Sequence, residues 1–594
     1  MSGSAPTGRV LRFDIFELDT RAGELRKRGV KLRLQGQPLQ VLATLLKRAG
    51  DLVTREELRA EIWPANTFVD FDHSLHNAIA RLRETLGDSA QKPRYIETLP
   101  RRGYRFLARV DEVKPETSIP QPLPGSRKSD ARGIQAVAVL PLQDLSGGPG
   151  HDYFADGMTE ALITSLAKIK ALRVISRTSA MQYKGARKSL PQIARELNVD
   201  AVIEGSVLRS GERIRITAQL IHAASDQHLW AESYERDFRD ILSLQSDIAR
   251  QVADEVRIIL TPEERARLGS ARQVNPKAHE WYLIARYHWN KRTEESVKKA
   301  LSYFQTAIDS DPTYAQGYAG LADSYNILGY YNALLPIEAY PKGKAAALKA
   351  LELDDSLAEP HATLGVVKRD FEWDWSGAEE EFQRAVELNP GCVEAYHWRG
   401  TLFSMLGRHA EALREKKRAL VMDPLSVVIR TDLARMFYFS RDYDQSLEQY
   451  QAALDMDPNF GHAHLWLSHV YEQKGLFEQA ISELKTGLRL SSDNTFALAK
   501  LGHGYAMAGR RDEAHAVLNQ LNALSSQRYV SPYDVAMVHV GLRQNDEAFA
   551  WLQRAFEQRS LWLGYLNVEP QLDPLRSDPR FQELLRHVGL LVQS

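Results

Sequence analysis

Three architectures in series, α+β then α/β then all-α, are what this sequence of 594 residues predicts. Three patterns predict them. Residues 71–106 set an amphipathic helix ahead of a basic hairpin, and residues 134–262 alternate short apolar runs with helical stripes. From about Lys277 the chain repeats itself with a period of 34 residues.

The first part, residues 8–110, is read element by element. Pro38 to Arg48 places Leu39, Val41, Leu42, Leu45 and Leu46 at helical spacing. Thr54-Arg55-Glu56-Glu57 is a capping box, and it opens a short helix through Leu58, Ile62 and Trp63 that Pro64 ends. The next helix runs from Asp72 to Leu86 and is closed by Gly87, with Leu75, Ala78, Ile79, Leu82 and Leu86 on one buried stripe. Its opposite face carries His73, Asn77, Ala80 and Glu84, flanked by His76 and Arg81. That face is small in the middle and offers amide, imidazole and guanidinium groups, the chemistry that reads base edges in a major groove. Two strands follow, Tyr95 to Leu99 and Tyr104 to Ala108, joined by the tight turn Pro100-Arg101-Arg102-Gly103. Three helices and a terminal hairpin predict a winged helix-turn-helix, with the last helix in the major groove of double-stranded DNA and the hairpin tip against the backbone or minor groove. His73, Asn77 and Arg81 are the expected base contacts; Arg83, Arg101 and Arg102 are expected at phosphate or in the minor groove.

Residues 10–110 resemble the DNA-binding domain of OmpR/PhoB-type response regulators, in the form found in CadC-like and HilA-like regulators. The matching residues include Gly23-Glu24-Leu25, Pro38, Gly50, Arg55-Glu56-Glu57-Leu58, Trp63 and Ile79. They continue through Arg81-Leu82-Arg83, Leu86-Gly87-Asp88, Tyr95-Ile96-Glu97-Thr98 and Arg102-Gly103-Tyr104-Arg105-Phe106. The resemblance implies a small antiparallel sheet before the helices, which the alternating runs Leu11 to Leu18 and Val30 to Leu34 can supply. It also implies tandem half-sites, and hence a homodimer on DNA. A receiver domain precedes this domain in most such regulators; here about ten residues precede the first strand, so control by phosphorylation in cis is not expected.

Charge agrees once the chain is divided. The whole chain holds 76 basic and 77 acidic residues, but residues 1–110 hold 20 and 13, leaving 56 and 64 for the remainder. A basic head on an acidic body concentrates phosphate neutralisation in one domain. Residues 111–133, with Pro115, Pro120, Pro122 and Pro124, read as a flexible linker where CadC-like proteins carry a membrane span. No run approaches the ~20 apolar residues needed to cross a bilayer, and no secretory signal opens the chain, so a cytoplasmic protein is expected. The single cysteine, Cys392, excludes an internal disulfide and any multi-cysteine metal site, and its position at the start of a repeat helix predicts burial.

In residues 134–262, strands are expected at Ala136 to Leu140 and Arg173 to Ser176. Helices are expected at Phe154 to Ile169, Pro191 to Leu197 and Ile241 to Ile259, and a hairpin joins Ala201 to Leu208 with Ile214 to Leu220. The loop Ser146 to Gly150 lacks both the Lys-Ser/Thr ending of a phosphate loop and a G-x-G-x-x-G spacing, so it reads as a connection. This segment resembles the TolB amino-terminal-like (FlgO-like) domain through Leu140-Pro141, Phe154 to Glu160, Glu204-Gly205-Ser206, Ala218-Gln219-Leu220 and Leu229-Trp230. That resemblance implies a fold and a protein- or ligand-binding role, without a defined ligand.

Asp311-Pro312, Asn389-Pro390, Asp423-Pro424 and Asp457-Pro458 each close an amphipathic helix, with Asp354-Asp355 and Ser491-Ser492 at equivalent places. The intervals are 43, 35, 34, 34 and 34 residues, the first stretched by an insertion around Gly329 to Pro341. A 34-residue period of paired helices is the tetratricopeptide signature. Six to eight repeats are expected over residues 277–560, then a capping segment over residues 561–594. Stacking makes a concave groove, expected to hold a protein or peptide partner, with RNA polymerase or a signalling protein as candidates. Trp281, Tyr282, Trp289, Trp398 and Trp466 are read as packing residues.

No catalytic motif is recognised and no metal or cofactor is expected; His462 and His464, two apart on a helix, cannot form a zinc pair. The sequence thus predicts a sequence-specific transcriptional regulator. Its rivals are a repeat scaffold for which DNA binding is secondary, and a nucleotide sensor or enzyme built on the middle domain.

Overall fold

The structure, a computed structural model, describes residues 10–14, 16–19, 24–27, 30–31, 34, 37–62, 71–86, 88–89, 93–99, 102–113, 134–146, 152–269, 273–490 and 495–591. Arg101, Trp63, Pro64, Gly87, the linker from residue 114, the glycine-rich loop 147–150 and Ser491-Ser492 lie outside them. The chain divides into two compact units, residues 1–130 and 131–594.

The first unit opens with a sheet of five strands: β1 (Val10–Phe13), β2 (Phe16–Asp19), β3 (Glu24–Lys27), β4 (Val30–Lys31) and, from far along the chain, β8 (Asp111–Val113). Their order is β4-β3-β2-β1-β8. The alternating run from Leu11 to Leu18 is broken into two strands at Asp14, whose φ of 50° turns the chain. β8 pairs antiparallel with β1, Val10 against Val113, so the first residues read as linker belong to the sheet instead. Pairing partners so distant in sequence leave no local signal.

Three helices follow: α1 (Gln37–Lys47), α2 (Arg55–Ile62) and α3 (Phe71–Leu86). The wing is a three-stranded sheet of order β5-β7-β6, built from β5 (Leu52–Thr54), β6 (Ile96–Leu99) and β7 (Gly103–Phe106). Sequence reading missed β5, three residues between two helices. Glycine is required at position 103: its φ is 151°, and a Cβ there would lie 2.1 Å from the Val53 carbonyl of the neighbouring strand. The core joins Val41, Leu42, Leu45 and Leu46 of α1 to Leu75, Ile79 and Leu82 of α3, with Tyr104 and Phe106 beneath.

The second unit opens with a mixed sheet of order β11-β9-β12-β13-β14, with β10 also paired to β12. β9 (Ala136–Val139), β11 (Arg173–Val174) and β12 (Ala201–Ser210) run parallel, whereas β12, β13 (Arg213–His222) and β14 (Gln227–Asp237) form an antiparallel meander. β10 is the short Gln143–Asp144. The expected hairpin is present; β14 is additional, and its mostly exposed side chains explain why no apolar alternation announced it. Helices α4 (Asp152–Ala167), α5 (Arg177–Ala180), α6 (Leu190–Leu197), α7 (Ile241–Glu255) and α8 (Pro262–Gly269) pack around the sheet.

Among the described residues, eight helix pairs then stack. They are α9 (Pro276–Trp289) with α10 (Glu294–Ser310), α11 (Ala315–Tyr330) with α12 (Pro336–Leu353), and α13 (Ala358–Val367) with α14 (Trp375–Leu388). Next come α15 (Val393–Met405) with α16 (His409–Met422), and α17 (Val427–Phe439) with α18 (Tyr443–Met456). The last are α19 (Gly461–Gln473) with α20 (Phe477–Leu490), α21 (Thr495–Met507) with α22 (Arg511–Leu524), and α23 (Pro532–Gly541) with α24 (Asn545–Glu557). Small residues permit the close approach: a Cβ on Gly365 would meet the Phe382 ring at 2.7 Å, and one on Gly320 the Phe304 ring at 2.2 Å. Trp466 and Trp289 are buried, and Cys392 is buried at the start of α15.

The middle sheet and the repeats form one body. Leu166, Ile203, Phe238 and Ile248 share a core with Ala278, Leu283 and Ala307. The turns between repeats, where the Asp-Pro and Asn-Pro pairs sit, receive the sheet domain: Ser176 N donates to Met422 O at 2.8 Å and Gly391 N to Ala167 O at 3.0 Å. Ser179 Oγ donates to Asp423 Oδ1 at 2.5 Å and accepts from Leu425 N at 2.9 Å.

Residues 561–594 were expected to cap the array. The described part, residues 561–591, does more than that. Two 3₁₀ turns, Leu561–Tyr565 and Pro570–Leu575, and a last helix, α25 (Pro579–His587), are followed by a return to α14, where Trp375 Nε1 donates to Val588 O at 3.0 Å. Leu561, Leu563, Leu566, Leu572 and Leu575 are all buried, so this segment joins the main hydrophobic core of the array. Its 3₁₀ spacing, with several prolines, gave no helical period to read.

Candidate nucleic-acid interface

The site is assembled from α3 outward. Leu75, Ala78, Ile79, Leu82 and Leu86 are all buried against α1 and the wing, which consumes the apolar stripe the sequence marked. Asn77, Ala80 and Arg81 are correspondingly exposed on α3. His73 lies in the first turns of the same helix. At the wing, Arg102 is exposed, and its amide donates to Leu99 O at 3.0 Å to close the turn.

Arg83 is placed differently from the other candidates. It is half-buried, and its Nη2 donates to Ile96 O and to Thr98 Oγ1, both at 2.8 Å. β6 is the edge strand of the wing, so its outward carbonyl would otherwise lack a ladder partner. Arg83 therefore ties the candidate reading helix to the wing, where the sequence reading had expected it at phosphate. The position one step off the apolar stripe gave it access to the neighbouring strand, but only folding could bring that strand there.

Asp88 fixes the start of the wing. Its Oδ1 accepts from Arg94 N at 2.7 Å, and its Oδ2 from Ile96 N at 2.8 Å and Tyr95 N at 3.2 Å. The Tyr95 hydroxyl donates to Asp14 Oδ2 at 2.5 Å, and Arg94 Nη2 donates to the same oxygen at 2.7 Å. Burial first, and the Asp14 carboxylate second, push the Tyr95 phenol up to about 12. In the sequence Asp88 stands within the motif Leu86-Gly87-Asp88, and a carboxylate just past a helix end is the signal for its role in catching backbone amides.

The capping box forms at the start of α2, as the sequence predicts. Glu57 N donates to Thr54 Oγ1 at 3.2 Å and Thr54 N to Glu57 Oε2 at 2.8 Å. The Thr54 amide, then the Arg48 guanidinium and the Thr54 hydroxyl, hold the Glu57 carboxyl down at about 2. The arrangement as a whole is a rigid frame presenting an amide and a guanidinium from one helix and a cation from a turn. Such a frame can hydrogen-bond base edges and pair with phosphates.

Among the described residues no group of three or more His, Cys, Asp or Glu is placed to hold a metal ion. No helix among them is long and apolar enough to cross a membrane.

Comparison with known families agrees with this geometry. Residues 29–106 match the family described as transcriptional regulatory protein, C terminal. Residues 134–251 match the HilA/YgeH-like transcriptional regulator, second domain, and residues 374–426 and 431–495 match tetratricopeptide repeats. Among individual relatives, the transcriptional regulator HilA of Salmonella typhimurium is 24% identical over 73% of this chain and 74% of its own length. The cholera toxin transcriptional activator of Vibrio cholerae is 36% identical over 14% of this chain and 29% of its own. A Rhizobium meliloti protein named "Putative adenylate cyclase 3" is 34% identical over 39% of this chain, which spans only 40% of that protein. The chain thus carries an OmpR/PhoB-type DNA-binding domain, a HilA-like second domain and tetratricopeptide repeats, the architecture of a transcriptional regulator.

Proposed function

We propose that this protein is a cytoplasmic transcriptional regulator that selects duplex sites through α3 and is controlled by the α/β domain and repeat array. The observation that carries this reading is the division of α3 into a fully buried apolar stripe and an exposed face bearing Asn77, Ala80 and Arg81. Asn77 and Arg81 are assigned to base edges, with His73 beside them on the same helix. Arg102, with Arg101 next to it in sequence, is assigned to phosphate or the minor groove. Arg83 is assigned to bracing the wing. The array is the arm that receives a protein partner, and regulators of this build suggest a homodimer on tandem half-sites. The match to a protein named as a cyclase covers too little of that protein to bring its activity here.

The test is a gel-shift titration against a site selected from random duplex DNA. Arg81→Ala should cost about 1–3 kcal/mol on the selected site and relax preference at one position. Arg102→Ala should weaken all sequences alike and reduce the slope of log affinity against log salt by about one. Full affinity and unchanged preference in Arg81→Ala would refute the placement of α3.

A further inference from the structure

The first helix of each repeat lines the inner wall of a tetratricopeptide array, the surface such arrays offer to partners. In this protein that wall is already covered, by the chain's own residues beyond α24. Tyr565 stacks on Phe439 of α17, with ring centroids 4.9 Å apart, and a Cβ on Gly564 would lie 2.9 Å from Met405 Sδ of α15. Trp562 stacks on Phe496 of α21 at 5.4 Å and meets Trp466 of α19 at 5.7 Å. Polar contacts continue along the same course. The Tyr438 hydroxyl donates to Glu569 Oε1 at 2.7 Å, and Gln571 Nε2 donates to Glu472 Oε2 at 2.6 Å. Arg441 forms a two-pronged pair with Asp573, both contacts at 2.8 Å. Four successive repeats are engaged by fewer than twenty residues of chain, in the order aromatic–aliphatic run, then carboxylate-bearing turn.

The fit is uneven. The wall keeps buried polar atoms that the segment does not satisfy, Trp466 Nε1 under the aromatic run and several more toward the second 3₁₀ turn. Glu472 Oε1, His503 Nε2, both ring nitrogens of His469 and both carboxylate oxygens of Asp534 find no hydrogen-bond partner among the described residues. All four side chains are 4% exposed or less. Buried polar groups in a permanent core are almost always paired, because leaving one unmade forfeits its hydration. Such groups can take further hydrogen bonds from whatever occupies the wall.

We infer that residues Ser560–Leu575 are a resident pseudo-ligand that closes the array's peptide-binding groove in cis, and that the groove's partner is a protein segment of the same aromatic-then-acidic order with a basic side chain facing Glu472. The existing pairs supply the order: Trp562 and Tyr565 fill the aromatic pockets and Asp573 meets Arg441. The unpaired Glu472 oxygen supplies the added cation, because a guanidinium there would replace the single amide hydrogen bond with a two-pronged pair to both carboxylate oxygens. This deepens the reading of the array as the partner-receiving arm and rests on it, while leaving the DNA-binding reading aside.

The experiment uses the full chain and a fluorescein-labelled peptide of residues 559–578. The double variant Trp562→Ala/Tyr565→Ala, which loosens the resident segment, should bind the peptide in trans at least tenfold more tightly than the wild-type chain does. A peptide carrying Gln571→Arg should bind the double variant more tightly again, by roughly tenfold, and adding Arg441→Glu to the protein should abolish binding of either. Absence of trans binding by a double variant that keeps wild-type helical circular dichroism would overturn the inference, as would equal affinity for the two peptides. Should the double variant fail to fold, hydrogen exchange of the wild-type chain decides. Faster exchange at the amides of residues 561–575 than at Arg435 to Phe439 supports release, and equal protection marks a permanent lining. A concentration-dependent shift of the double variant to dimer, blocked by the peptide, would assign the groove to a second copy's segment and overturn the choice of partner. Affinity of the wild-type chain for its selected DNA site, measured alongside, tests the regulator reading independently of every one of these results.

Discussion

Replacing Arg83 by methionine separates a bracing arginine from a phosphate-binding one. The substitution keeps an apolar stem across the edge of α3 and removes the guanidinium that holds Ile96 O and Thr98 Oγ1. Thr98 is exposed, so water takes over that hydrogen bond at little cost. The Ile96 carbonyl belongs to a buried residue on an edge strand, and it loses a charged donor. A hydrogen bond to a charged group contributes ~1.5–3 kcal/mol, and partial exposure of Arg83 reduces the expected loss to about 1–2 kcal/mol. In a domain of this size that lowers the melting temperature by roughly 5–10 °C. Thermal unfolding of residues 1–130, which close their own core, measures it. A cycle with Thr98→Val should give a coupling of about 0.5 kcal/mol or more. DNA binding below the melting transition should keep its salt slope. An unchanged melting temperature together with a slope reduced by about one would refute the bracing role and return Arg83 to the phosphates.

Three further outcomes are expected. Gly103→Ala forces a methyl group against the Val53 carbonyl at a φ of 151°, and should destabilise the head by about 2–4 kcal/mol in the same thermal assay, with Arg102→Ala as the silent neighbour. Ser179→Ala strips a buried partner from both Asp423 and Leu425 N, and should cost about 1–3 kcal/mol and make the junction of sheet domain and repeats cleavable in limited proteolysis. Asp534, buried on α23, has its carboxyl pushed up to about 7 by desolvation. Because the folded chain then holds this proton more tightly than the unfolded chain does, this group's contribution to array stability should fall as pH rises from about 4 through 7, by a few kcal/mol in all. Asp534→Asn should flatten that part of the urea-denaturation profile, and an unchanged profile would show that this carboxylate is not its source.

Reading the sequence worked best where a pattern is local and periodic. The stripe of α3, the Thr54–Glu57 capping box, the hairpin and the 34-residue repeat each repeat a physical rule within one or two turns of chain, and each appears where it was expected. The candidate base contacts were legible for the same reason: once Leu75, Ile79 and Leu82 are committed to the core, geometry leaves Asn77 and Arg81 outside. Positions that depend on distant partners were not legible. β8 is a strand because β1 lies beside it, about a hundred residues earlier in the chain, and β5 because β7 returns to it. Arg83 looked like a free cation because the carbonyl it serves belongs to a strand thirteen residues on, across a turn.

The amino-acid sequence alone determined the three architectures, their order and the chemistry offered by the head, since periodicity and capping act through near neighbours in the chain. Tertiary structure decided which arginine braces and which stays exposed, that the sheet domain and repeats share one core, and that residues beyond 560 turn back along the array. Those outcomes hang on contacts between groups tens to hundreds of residues apart. Such contacts exist only after the chain has closed around them, so no window of sequence could carry them.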